Sequence, residues 1–267
     1  MQVLLEICVD SFESAVAAID GGADRIELCS ALSEGGLTPT VGLLREIKQF
    51  LSTNVPNRGT QHSIPVYCMI RCRRGNDFCF STHEMRAMIW DMQQLKEHGA
   101  DGFVFGALDE SGKVHRDYCK QIIETAGSIP LTFHRAIDCT VESELKENLQ
   151  IIAELGFTTI LTSGLKPTAS LGVKTIMEMK KIVSDLKMAG DRSLKLMPGS
   201  GVSAENVLMI LQRTGSSAVH GSASITKPTE NRTENSTTKD FVDPLPFKVC
   251  SRAKVEELRL LIDNIAL

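Results

Sequence analysis

Short apolar segments alternate with amphipathic stretches eight times along the 267 residues, and this alternation constrains the fold more than any other feature. The apolar segments predict strands at Leu4–Val9, Arg25–Cys29, Val66–Arg71, Gly102–Phe105, Leu131–His134, Thr159–Thr162, Leu194–Met197 and Ala218–His220. The stretches between them predict helices at Ser11–Asp20, Val41–Leu51, Thr82–His98, Arg116–Ala126, Val141–Leu155, Ser170–Met188, Ser203–Thr214 and Ser251–Asn264. Strands that alternate with helices form a parallel sheet with right-handed crossovers. Eight such units in about 250 residues fit a closed (β/α)8 TIM barrel. An open doubly wound sheet is the rival, and it needs a topological switch point that eight regular units do not offer. The expectation is therefore one α/β barrel domain spanning 1–267.

A weak internal repeat supports that reading. Gly22-Ala23-Asp24-Arg25-Ile26, Gly99-Ala100-Asp101-Gly102-Phe103, Gly156-Phe157-Thr158-Thr159-Ile160 and Gly215-Ser216-Ser217-Ala218-Val219 each place a glycine where a helix ends and a strand follows. Such a glycine closes the helix in the left-handed conformation. Two segments interrupt the rhythm. Ser52–Ile64 is polar and reads as a surface loop. Thr226–Asp240 is nearly free of apolar side chains, cannot offset its ordering entropy by burial, and is predicted to be a mobile surface insertion at 226–240. Neither divides the chain, because a further helix after the second is needed to close the barrel.

Net charge is -4, so no global basic field exists to hold nucleic acid or an anionic membrane. No apolar run approaches the roughly 18 residues of a membrane span. Met1–Val9 carries Glu6 and no basic leader, so it reads as a first strand and not as a signal sequence. The expected compartment is the cytoplasm, with the nucleus open as well. The eight cysteines would there be free thiols or ligands. A homo-oligomer is compatible with all of this.

Strand parity predicts the site. Alternate side chains point to opposite faces of a strand. In the first strand Leu5, Ile7 and Val9 share one face, and Glu6, Cys8 and Asp10 the other. In the second, Ile26 and Leu28 oppose Arg25, Glu27 and Cys29. The apolar faces should pack under the helices, which turns the polar faces into the barrel. There, carboxylates are costly unless paired or used. Arg71, His134 and His220 end their strands, and Lys195 shares a face with Met197. Barrel active sites form at C-terminal strand ends. Glu6, Glu27 and His134 are thus acid–base candidates, with Arg71 as an anion clamp. Met197-Pro198-Gly199-Ser200-Gly201 precedes a helix expected to be capped by Ser203. Gly199, Ser200 and Gly201, with His220, form a candidate anion site at a backbone nest. Plainer readings stay open. The charges also suit a structural ion network, the histidines satisfied core positions, Cys8 and Cys29 small buried residues, and Gly199-Ser200-Gly201 a tight turn.

Leu5-Glu6-Ile7-Cys8-Val9, Gly22-Ala23-Asp24-Arg25-Ile26-Glu27-Leu28-Cys29 and Glu34-Gly35-Gly36-Leu37-Thr38-Pro39 begin an ordered set of motifs. Met69-Ile70-Arg71, Thr132-Phe133-His134-Arg135-Ala136, Leu161-Thr162-Ser163-Gly164 and Met197-Pro198-Gly199 continue it. In these residues the chain bears a resemblance to the CutC copper-homeostasis family. It implies a (β/α)8 barrel linked to intracellular copper, with Cys8 and Cys29 as Cu(I) ligands. Soft thiolates suit Cu(I). This chain departs from the family pattern at Arg71-Cys72-Arg73-Arg74-Gly75-Asn76-Asp77-Phe78, which has one more residue and no proline. Ile137 stands where the family has Phe, and Ser200 where it has Gly. A copper buffer has no evident need of Arg71 or His134. The alternative function is an enzyme using acid–base chemistry on a small phosphorylated or carboxylated substrate, with such an anion and a copper ion as the expected small partners.

Overall fold

The computed structural model describes residues 3–54, 64–186, 193–227 and 248–265. Eight parallel strands build the predicted barrel: β1 (Leu4–Val9), β2 (Arg25–Leu28), β3 (Val66–Met69), β4 (Gly102–Phe105), β5 (Leu131–Phe133), β6 (Thr159–Thr162), β7 (Lys195–Pro198) and β8 (Ala218–Gly221). Hydrogen-bonded neighbours run from β7 in descending order to β1 and then to β8, and β7 lies beside β8 to close the ring. The outer wall consists of helices α1 (Phe12–Gly21), α2 (Val41–Asn54), α3 (Thr82–Glu97), α4 (Arg116–Ala126), α5 (Leu145–Leu155), α6 (Val173–Asp185), α7 (Val207–Thr214) and α8 (Arg252–Asp263). A two-stranded antiparallel ribbon, β9 (Ser224–Thr226) with β10 (Lys248–Cys250), joins β8 to α8.

The core lies between strands and helices. Leu5, Ile7, Ile26, Leu28, Val66, Ile70, Phe103, Phe105, Phe133 and Ile160 are fully buried there, all on the outward faces of their strands. Each such side chain stabilises the fold by roughly 1.5–3 kcal/mol relative to exposure. Parity was therefore read correctly, and the interior is left to the polar faces.

The repeat glycines Gly22, Gly99, Gly156 and Gly215 all have positive φ. The residue two places on has a second task. The Asp24 carboxylate accepts the Leu5 amide at 2.7 Å, and Asp101 accepts the Val66 amide at 2.7 Å. Each satisfies an amide at the start of the preceding strand, and each is also held by a cation, Arg259 and Lys48 respectively.

Some ends move. Ser52–Asn54 continue α2, and residues 55–63 of the expected surface loop lie outside the described residues, as do 228–240 of the expected insertion. The helix predicted over Val141–Leu155 divides into a 3-10 turn (Glu142–Glu144) and α5. The one predicted from Ser170 begins at Val173, because Gly172 packs directly on the Ser163 carbonyl; Met188 lies outside the described residues. Ser203 is not the cap of α7. Its carbonyl accepts from the Asn206 and Val207 amides in a turn, and the helix starts only at Val207.

Candidate functional site at the barrel mouth

Register brings the polar faces together in layers. Glu6 lies opposite Arg25 on one side and His220 on the other, and Cys8 lies opposite Glu27. In the lower layer Arg25 Nε donates to Glu6 Oε2 at 2.5 Å, and Glu6 Oε1 meets His220 Nδ1 at 2.8 Å. The Arg25 guanidinium lies 4.3 Å from the Tyr67 ring centroid and donates to Met197 Sδ at 3.4 Å. Glu6 is wholly buried. Burial alone would raise its pKa, but Arg25 and the hydrogen-bonded His220 reverse that and hold it at about 2. It is a fixed negative charge.

Above this layer Cys8, Glu27 and His220 converge, their ligand atoms all within 4.8 Å of one another. His220 Nε2 lies 3.8 Å from Glu27 Oε2. Burial pushes the Glu27 carboxyl above the ordinary range against the pull of His220. Burial would lower His220, but the charges of Glu27 and Cys8 raise it well above the usual imidazole value. Glu27 Oε1 is buried without a hydrogen-bond partner among the described residues. Cys8 and Cys29 are not at one height. Cys8 faces Glu27, whereas the Cys29 amide bonds the Val9 carbonyl further up, and its thiol donates to Glu27 Oε2 at 3.6 Å. Barrel stagger therefore puts Glu27 between the two thiols. Burial and the Glu27 charge push the Cys29 thiol far up.

Arg71 and His134 occupy the β3–β5 side. The departures in the loop after β3 leave Arg71 anchored, since its guanidinium donates to the carbonyls of Gly35 at 3.0 Å and Gly75 at 2.6 Å. Asp77, in the same loop, pairs with Arg73 at 3.0 Å. His134 Nδ1 accepts the Ala136 amide at 3.2 Å, and Nε2 is buried without a partner among the described residues. Burial, reinforced by the Arg71 charge, pushes its pKa down to about 3, so the ring is neutral.

At the β7 end, Ser200 and Gly201 have positive φ of 77° and 68°. Ser200 Oγ donates to the Pro167 carbonyl at 2.9 Å. Asn206, which precedes α7, donates to the Gly201 carbonyl at 2.8 Å and ties the turn to the start of that helix. A cavity of about 360 Å³ joins all of these groups; Cys8, Glu27, Arg71, His134, Ser200, Gly201 and His220 line it. Lys195, on the same face as Met197, is not part of this cavity. It lies at the opposite, N-terminal mouth with Arg25 and Tyr67, because strand parity fixes a face but not a height. The two cavities share no residue, and the Glu6–Arg25 layer separates them.

Sequence reading passed over Asp138. Its carboxylate accepts from Thr162 Oγ1 at 2.6 Å and from the Ser163 and Leu165 amides, and it pairs with Arg135 at 2.9 Å. It fixes the loop after β6 and the Arg135 guanidinium beside the cavity. Its place in His134-Arg135-Ala136-Ile137-Asp138 was the available signal.

Residues 3–225 match the model of the CutC family. The chain is 42% identical to the copper homeostasis protein cutC homolog of Drosophila melanogaster, covering 91% of this chain and 88% of that protein. It is 38% identical to the Homo sapiens protein of the same name, covering 98% and 90%. The crystal structure of CutC from Streptococcus agalactiae superposes with a TM-score of 0.72 at 29% identity, over 82% of this chain and 98% of that one. Phosphoribosyl anthranilate isomerase from Thermotoga maritima, at 13% identity and a TM-score of 0.57 over 98% and 100%, shares the fold alone.

Proposed function

This chain belongs to the CutC family, and from that premise we propose that it is a copper-homeostasis protein whose cargo ion is held at Cys8, Glu27 and His220. The convergence of those three groups within 4.8 Å in one cavity carries the reading. The donors fit the ion. A thiol and an imidazole suit copper, and Cys29 offers a second thiol beyond Glu27. Glu27 Oε1 is an acceptor still lacking a partner. Glu6 holds His220 Nδ1, which orients Nε2 toward Cys8 and Glu27, as an outer carboxylate does for a ligating histidine.

Competition against a Cu(I) chelator tests this. Cys8→Ser should weaken copper binding by roughly 100-fold or more, and Glu6→Gln by about 10–100-fold. A folded Cys8→Ser, Cys29→Ser double variant with unchanged affinity would move the ligands elsewhere, to Cys72 and Cys79. Binding must displace the His220 proton and the thiol protons. Since His220 and Cys29 hold their protons to higher pH than usual, affinity should rise as pH rises, with protons released on titration. Affinity independent of pH would count against these ligands.

One observation favours a second reading, an acid–base enzyme with a small phosphorylated or carboxylated substrate. Buried polar atoms of Glu27, Arg71 and His134, all lining one cavity, lack partners. In that reading Glu27 exchanges protons, and Glu6, held ionised by Arg25, only orients its neighbours. The turn at Gly199, Ser200 and Gly201, with His220, would receive the anionic end.

A further inference from the structure

Arg71 is 5% exposed, and no carboxylate pairs with it among the described residues. Its Nη1 donates to the Gly35 and Gly36 carbonyls at 3.0 and 3.4 Å, and its Nη2 to the Gly75 carbonyl at 2.6 Å. Nε has no partner. Asp77, on the same loop, is engaged by Arg73 through both oxygens. Carbonyl dipoles orient a cation without cancelling its charge. A buried charge without a counter-ion is costly.

His134 gives a second and independent observation. Because Nδ1 accepts the Ala136 amide, the proton of the neutral ring is on Nε2. That N–H is buried and finds no acceptor among the described residues. The ring is held firmly. Phe78 packs 4.9 Å from it, and Gly106 leaves its space open, since a Cβ there would come within 2.6 Å of Nδ1. The same Phe78 ring lies 4.9 Å from the Arg71 guanidinium carbon, so one phenyl group positions both. Both residues line the 360 Å³ cavity, whose volume falls at the lower end of the range of small-molecule sites.

We infer that the β3–β5 side of the cavity is a binding site for a small organic anion, a carboxylate or phosphoryl compound, whose charged oxygens supply the counter-ion of Arg71 and the acceptor for His134 Nε2–H. The copper reading uses neither residue. The inference rests on the cavity of the enzymatic reading and goes beyond it by assigning the charged end of the ligand to Arg71 and His134, and not to the turn at Gly199-Ser200-Gly201. It also makes the mouth bipolar, with donors toward β3 and β5 and the Cys8–Glu27–His220 group across from them.

The test is calorimetric titration of the full chain with pyruvate and, separately, inorganic phosphate. At least one should bind at millimolar concentration or tighter. His134→Asn keeps an acceptor for the Ala136 amide but withdraws the N–H, and should weaken binding by about 10–100-fold at an unchanged melting temperature. Arg71→Gln should do the same. If that variant fails to fold, His134→Asn decides the matter. Binding of pyruvate alone assigns a carboxylate, and of phosphate alone a phosphoryl group; both support the site. No binding of either probe, or binding that a folded His134→Asn leaves intact, overturns it. Binding that His134→Asn weakens, without solvent deuterium entering the pyruvate methyl group, keeps the site and removes only the enzymatic reading.

Discussion

Glu6→Ala should destabilise the protein by about 3–5 kcal/mol, the scale for removing one partner from a buried ion pair. The carboxylate is wholly buried and answers Arg25 at 2.5 Å and His220 at 2.8 Å. Its removal strands the guanidinium inside the barrel and takes from His220 the group that fixes Nδ1. The midpoint of a urea denaturation curve measures the loss. Replacing all three, Glu6→Leu, Arg25→Met and His220→Leu, should recover most of it, because a packed apolar set no longer needs the charges. A loss below about 1 kcal/mol for Glu6→Ala, the scale of a surface pair, would show that water reaches this layer.

The second large effect is in acid. His134 has an ordinary histidine value near 6.5 when unfolded and about 3 when folded. Between those values the unfolded chain binds the proton and the folded chain does not, so stability falls as pH falls. At about 1.4 kcal/mol per decade of pH, the span is worth on the order of 5 kcal/mol. The Glu6 carboxyl, held at about 2, adds its own loss between about pH 4.5 and 2. His220, raised in the fold, acts the other way: its contribution is complete below about pH 6.5 and is lost as pH rises through its folded value. The difference between wild type and His134→Asn isolates the first of these. Denaturant midpoints, equal for the two proteins at pH 7, should diverge as pH falls to 3, the wild type losing more than His134→Asn. Parallel curves would mean that the buried ring takes up its proton freely.

Much of this was legible in local sequence. Period-two alternation put Glu6, Cys8, Arg25, Glu27 and His134 inside, because the partition of apolar and polar side chains within one strand needs no knowledge of its neighbours. Height and partnership were not legible. The contact between Glu6 and His220 spans 214 residues and depends on how β1 and β8 align. The same alignment puts Glu27, and not Cys29, opposite Cys8. Lys195 shares its face with Met197 as parity has it, but parity does not say that it opens to the mouth at Arg25 and Tyr67. Ser203 has a good capping side chain, but the turn through Asn206 takes its carbonyl first. Asp138 works from a 3-10 turn, where no periodicity announces which way a side chain points. Asp24 and Asp101 were visible as a repeat, yet their use as acceptors for strand amides appears only once the strands stand side by side.

The Glu6–Arg25 layer has a kinetic consequence. With Tyr67 and Met197 packed on Arg25, it is a floor between the two mouths. Among the described residues the cavities above and below it share no lining side chain. Exchange with solvent at the mouth that holds Cys8, Glu27 and His220 therefore proceeds independently of exchange at the mouth that holds Lys195.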